Sequence, residues 1–87
     1  MKGKYVIREY GAVMFNDCYN HDDFGSKESV QSAGFFCVTP NPKVPQGIEV
    51  TCWGESVSLK KKSDPINDAR KIKQLICNLQ LYELDEM

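Results

Sequence analysis

The sequence predicts an α+β fold: a small mixed sheet of four to five strands, a short helix in the N-terminal half and a longer C-terminal helix packed on the sheet. Three observations carry this. Lys4–Tyr10 and Val30–Val38 are rich in β-branched and aromatic residues. Ile48–Trp53 alternates strictly, with Ile48, Val50 and Cys52 on one face. Beyond Ser63, apolar residues recur at three- and four-residue spacing, the period of a helix. A chain of 87 residues holds one such core, so 1–87 is read as a single domain.

Taken in order, Lys4–Tyr10 is the first strand and Gly11 ends it. Ala12–Phe15 is a short apolar run that suits either a second strand or the lead-in to a helix. Asn16 to Ser29 is polar, offers cap residues at Asn16, Asp17 and Asn20, and is read as containing a short helix broken by Gly25. Val30–Val38 is the next strand. Pro40, Pro42 and Pro45, with Asn41 and Gly47, make the following segment a loop, because proline cannot join a central ladder. Ile48–Trp53 is the cleanest strand. The last helix is capped by Ser63 or Asp64, has Pro65 in its first turn, and carries Asp68 where the helix dipole favours an acid. Ile66, Ala69, Ile72, Ile76 and Leu79 form its apolar stripe, with Arg70, Lys71 and Lys73 opposite. Leu79–Leu84 is read as a short returning edge strand.

Composition excludes several classes. Eleven Lys and Arg against 12 Asp and Glu give a formal charge of −1, and neither half is a charged tail. A protein held to nucleic acid mainly by a basic surface carries a cationic excess, so no nucleic-acid partner is expected. Met1–Tyr10 is interrupted by Lys2, Lys4, Arg8 and Glu9, and no apolar run suits a signal peptide or a span. A cytoplasmic location without membrane association is therefore expected. There, Cys18, Cys37, Cys52 and Cys77 are simplest as reduced thiols.

Two features carry candidate chemistry. Trp53-Gly54-Glu55-Ser56-Val57-Ser58-Leu59 leads into Lys60-Lys61-Lys62. A strand ending in a Gly/Ser turn leaves backbone N–H groups free beside hydroxyls, which suits an anion cradle; the alternative is an ordinary polar turn with solvated lysines. The P-loop spacing is absent, and Gly54-Glu55-Ser56 lacks the second glycine of a nucleophile elbow. The second feature is His21, the only histidine. An imidazole can act as acid, base or nucleophile near neutral pH, and Asp22 and Asp23 stand beside it to orient it; the alternative is a surface histidine at a helix start. Cys18 and His21 have a chelating gap, but Cys37 and Cys52 add no second short spacing, so buried thiols are favoured over zinc. Trp53, Phe35 and Phe36 suit a base-stacking surface, but without basic residues in the same strands core packing is favoured.

The order of these pieces resembles the phosphohistidine phosphatase family, the small eukaryotic proteins related to the insect Janus and Ocnus proteins. The likeness runs through Lys4-Tyr5-Val6, a basic residue opening the first strand, and His21 with Asp23 two residues on. It is strongest where Ile48-Glu49-Val50 leads to Gly54-Glu55-Ser56-Val57-Ser58. About a dozen positions over most of the chain match, with no long identical stretch. This chain is shorter than typical members, its loop after the first strand is trimmed, and the Gly-rich turn before the central strands is reduced to Ala33-Gly34. Ser58 stands where the family has alanine, which keeps the backbone donor and adds a hydroxyl.

The resemblance implies a phosphoryl-recognising domain and a metal-independent, cofactor-free phosphohistidine-type phosphatase. Its catalytic residue would be His21, as base toward water or as nucleophile. Lys4, Gly54, Ser56, Val57 and Ser58 would bind the phosphate. The partner implied is a phosphorylated peptide or protein, or a small anion. Such a site requires His21 to face a cavity shared with Lys4 and the Ser56–Ser58 amides. The competing expectation is a small cytosolic interaction protein, of the phage or mobile-element type, that uses the fold as a scaffold without catalysis.

Overall fold

Lys2–Arg8 forms β1 and Gly11–Phe15 forms β2, in the computed structural model that describes the backbone of residues 1–86 and the side chains of residues 1–78. Arg8 pairs with Gly11, so Glu9 and Tyr10 are a two-residue turn rather than the end of a strand. Strand composition continues into this turn, which is why it read as strand; Gly11, at φ +130°, marks the far side of the reversal. Ala12–Phe15 resolves as strand.

β3 spans Val30–Pro40 and β4 spans Ile48–Trp53. The four strands lie in the order β2-β1-β3-β4, with every pairing antiparallel, where a mixed sheet was expected. Short connections explain this, since a parallel pair needs a long crossover. Glu55–Ser56 (β5) and Lys61–Lys62 (β6) form a second, two-stranded sheet in the segment whose residue types predict a Gly/Ser turn. Ala33-Gly34, which stands for the family's Gly-rich turn in the resemblance, lies inside β3, as the strand pattern of Val30–Val38 predicts.

Between β2 and β3 the expected helix is a single 3₁₀ turn, His21–Asp23. The Asp23 carboxylate accepts the Asn20 amide hydrogen at 2.9 Å and closes that turn. The segment supplies no apolar stripe to hold a longer helix against the sheet.

The C-terminal helix, α1, runs over Pro65–Glu86, so Leu79–Leu84 continue it instead of returning as an edge strand. Ile72 and Ile76 are buried, but Ile66 is 75% exposed; Asp68 takes the inward position one turn before Ile72. Positions 68, 72 and 76 share one face at i, i+4 spacing, and Ile66 lies off it. α1 packs on one face of the sheet, against Tyr5, Ile7, Phe36 and Cys52. The opposite face carries a smaller cluster of Val6, Val30, Ala33 and Leu59, flanked by Val13, Phe15 and Phe24. Among the described residues, no helix is long and apolar enough to cross a membrane.

Candidate functional site

Residues directly opposite one another in an antiparallel pair point to the same side of the sheet. Phe15 is opposite Lys4, Lys4 is opposite Phe35, and Phe35 is opposite Trp53. These four side chains therefore make one row across β2, β1, β3 and β4, on the face away from α1. Lys4 is the cation in an otherwise aromatic row. Its ammonium donates to the Tyr19 carbonyl at 2.9 Å, which uses one of three donors and holds the loop after β2 over the row.

That loop brings in His21. The imidazole is only 5% exposed and meets Phe15 and Phe35 edge-on, at centroid distances of 5.7 and 5.8 Å. Nε2 lies 2.9 Å from the Gly34 carbonyl oxygen. A carbonyl only accepts, so Nε2 carries a hydrogen and Nδ1 is the ring nitrogen left for chemistry. Nδ1 has no partner among the described residues, and no buried side-chain nitrogen or oxygen there is left unpartnered. Nδ1 is therefore not fully buried, and His21 is among the residues that line a cavity shared with Lys4. The orienting group is the Gly34 carbonyl. Neither of the neighbouring acids was needed, and Asp23 is engaged with Asn20.

Gly34 is required here by close approach. A Cβ on it would collide with the Trp53 carbonyl and lie 3.2 Å from the Ser63 Cβ. Gly54 is required by conformation as well as space: its φ is +84°, and a Cβ would lie 2.8 Å from Phe35. Its carbonyl accepts from the Ser63 amide at 2.9 Å, which closes the β5–β6 hairpin beneath the site.

The hairpin turn, 57–60, faces His21 across an open cavity of about 370 Å³ lined by Lys4, Asn20, His21, Phe35, Glu55, Val57 and Ser58. Four of the six residues singled out from sequence meet there: Lys4, His21, Val57 and Ser58. Gly54 and Ser56 do not line it. Ser56 is buried; its hydroxyl accepts the Leu59 amide at 3.1 Å and lies 3.3 Å from the Ser58 hydroxyl, so it shapes the turn from behind. Among the described residues, the Val57 and Ser58 amide hydrogens have no acceptor within the protein. The Lys60–Lys62 run lines no part of this cavity.

Sequence reasoning missed Asn20, Phe35 and Glu55 as lining residues. Phe35 was legible in principle, since strand parity puts it beside Lys4 once the register is known. Glu55 is the one acid on the rim, and Lys62 sits opposite it in the hairpin ladder. The aromatic residues also divide: Phe36 packs in the core as expected, whereas Trp53 is 45% exposed and stacks on Phe35 at 6.2 Å.

The remaining groups are separate from this cavity. All four cysteines are free; Cys18 is exposed, while Cys52 and Cys77 are buried. Burial pushes the Cys52 thiol up to about 11. Among the described residues, no three His, Cys, Asp or Glu side chains converge as metal ligands would. A larger groove of about 490 Å³ lies between Pro45-Gln46 and α1, with Arg70 and Lys73 on its wall. Its lining includes the Cys77 thiol, which is largely buried, but no histidine, so the smaller cavity is the better chemical candidate. Set against protein-family models, curated proteins and solved structures, the chain has no significant match, so the site stands on its own residues.

Proposed function

We propose that this chain recognises a phosphoryl group in the Lys4–His21–Ser58 cavity and hydrolyses phosphohistidine-type P–N bonds there, with no metal in the mechanism. The observation that supports it is that Lys4, His21, Val57 and Ser58 line one cavity, with the His21 ring oriented through Nε2 by the Gly34 carbonyl. Donors aimed at one point stabilise the equatorial oxygens of a transferring phosphoryl group. Phosphorylated peptide or protein, or a small phosphorylated anion, is the ligand class, in keeping with the resemblance to phosphohistidine phosphatases.

His21 acts through Nδ1. As a base it takes a proton from water while the water oxygen bonds to phosphorus and the P–N bond breaks; the leaving nitrogen then collects that proton. As a nucleophile it bonds to phosphorus while the substrate P–N bond breaks and the leaving nitrogen takes a proton from solvent. Water then attacks phosphorus, the Nδ1–P bond breaks and phosphate leaves. In both routes Nε2–H stays on Gly34 and stabilises the positive charge that develops on the ring.

The deciding experiment combines phosphorus NMR of a phosphohistidine peptide with amide shifts on phosphate titration. The wild type is expected to release phosphate, and His21→Ala to lose at least about a hundredfold in turnover while still shifting the Val57 and Ser58 amides. Unchanged turnover in that variant removes His21 from the chemistry. A second reading, a non-catalytic phosphate-binding scaffold, is favoured by the near-complete burial of the imidazole. Phosphate binding without turnover by the wild type selects it, and absence of both sinks the phosphoryl assignment.

A further inference from the structure

Phe35 lines two cavities. One is the candidate site; the other, of about 190 Å³, is bordered by Lys2, Gly3, Asp17, Phe35, Phe36 and Trp53. From His21 the row runs 5.8 Å to Phe35 and a further 6.2 Å to Trp53, whose ring lies at 24° to that of Phe35. Trp53 is nearly half exposed at the end of β4, an edge strand, where it lies flat on Phe35 while its chain neighbour Cys52 is buried. A large aromatic side chain left open beside the cavity that holds Lys4, with Lys2 and Asp17 at its own edge, has the make-up of a ring-binding shelf.

Resting on the phosphoryl reading above, we propose that Trp53 and Phe35 form the ring-binding half of the site and that it accepts a purine nucleoside monophosphate. Spacing selects the spacer. A ring bonded directly to phosphorus stays against Phe35, whereas a ring held one sugar away reaches Trp53. The edge groups select the ring. Adenine, guanine and cytosine each offer hydrogen-bond acceptors and an exocyclic amino donor, which complement Lys2 and Asp17. Of the three, the purines cover the larger area of the Trp53 ring. Size argues for a small ligand: the main cavity alone falls within the range usual for small-molecule sites, and the shelf extends it by one ring system.

Trp53 is the only tryptophan in the chain, so its fluorescence reports the shelf directly. The probes are GMP, AMP, ribose 5-phosphate, guanosine and inorganic phosphate, with calorimetry for affinity and amide NMR for location. GMP or AMP is expected to quench Trp53 and to bind about five- to 150-fold tighter than ribose 5-phosphate, the range of one base–aromatic stack. Trp53→Ala is expected to remove that advantage and leave ribose 5-phosphate binding unchanged, while Trp53→Phe keeps part of it. Equal affinity for GMP, AMP and ribose 5-phosphate, with shifts at Val57 and Ser58, overturns the shelf and leaves the phosphoryl site standing. Quenching by guanosine as strong as by GMP, without any phosphate response, overturns the phosphoryl reading and with it the joint site.

Discussion

Replacing Asp68 tests how the helix is fastened to the sheet. Its carboxylate is 1% exposed. Oδ2 accepts from the Tyr5 hydroxyl at 2.6 Å and the Asp64 amide at 2.8 Å, and Oδ1 accepts from the Ser32 hydroxyl at 2.8 Å. Tyr5 in turn accepts from Ser63 at 2.8 Å. In Asp68→Ala, the Tyr5 hydroxyl keeps Ser63 but the Ser32 hydroxyl and Asp64 amide lose their acceptor. Two orphaned polar groups at about 1–3 kcal/mol each, added to the lost side-chain volume and offset by the carboxylate's relieved desolvation, give a cost of about 3–5 kcal/mol. Asp68→Asn keeps the volume and one acceptor oxygen, and the Ser32 hydroxyl can turn to accept from the new amide, so about 1–2 kcal/mol is expected. Urea unfolding at neutral pH measures both. A domain of this size has roughly 4–13 kcal/mol in total, so the alanine variant is expected to be close to unfolded without denaturant. The control is Ser32→Ala made in the wild type and in Asp68→Ala, both in a stabilising osmolyte. Equal costs in the two backgrounds, or a cost below about 1 kcal/mol for Asp68→Ala, would refute the network.

Two further outcomes follow from the same structure. Gly34→Ala places a methyl group against the Trp53 carbonyl, which is backbone and cannot swing away; a loss of about 1–3 kcal/mol is expected as a lower melting temperature, and an unchanged one means that β4 and Ser63 sit farther from β3 than described. Alkaline pH is the other. Burial, with the Asp68 carboxylate beside it, pushes the Tyr5 phenol well above its ordinary value, and burial raises Cys52 from 9.0 to about 11. Both folded-state values are raised, so the folded state holds these protons more tightly than the unfolded chain does. Their contribution is complete below about pH 9 and is lost as pH rises through 9 to 11 for Cys52, with Tyr5 extending the loss higher. Denaturation series at pH 7, 9, 10 and 11 are expected to show that decline, with a shallower slope in Cys52→Ala; a flat profile to pH 11 contradicts it.

The legible parts of this fold were those with strong period. The alternation of Ile48, Val50 and Cys52 placed β4 on the core, and the i, i+4 recurrence of Ile72 and Ile76 located α1. The short N-terminal-half helix was not legible as a 3₁₀ turn, because cap residues mark a helix start without saying how far it runs. Ile66 was assigned inward because hydropathy outweighs geometry in a stripe count; the buried position belongs to an aspartate whose acceptors are met by Tyr5, Ser32 and Asp64, residues far apart in sequence. The site was partly legible. His21 and the Gly54–Ser58 segment stand out by residue type. That Lys4 reaches them depends on strand register, and that Ser56 turns inward depends on the Leu59 amide, neither of which local sequence encodes.

Strand parity joins the two halves of this molecule. Lys4 and Tyr5 are neighbours in sequence, but Lys4 faces the cavity while Tyr5 reaches Asp68 under α1. Phe35 and Phe36 divide in the same way, as do Trp53 and Cys52: one of each pair faces the site or its shelf, and the other is buried in the core. A slip of one residue in register would exchange the two sets, exposing core groups and burying Lys4. The forces that fix the core therefore also fix the spacing of the site. Gly34 links the two directly, because its lack of a side chain admits β4 and Ser63 while its carbonyl holds His21. A substitution there is expected to disturb the imidazole and the β5–β6 turn together, although Gly34 itself does not line the cavity. The site is thus a property of the sheet as a whole, and the residues that set its geometry are not confined to those that would touch a ligand.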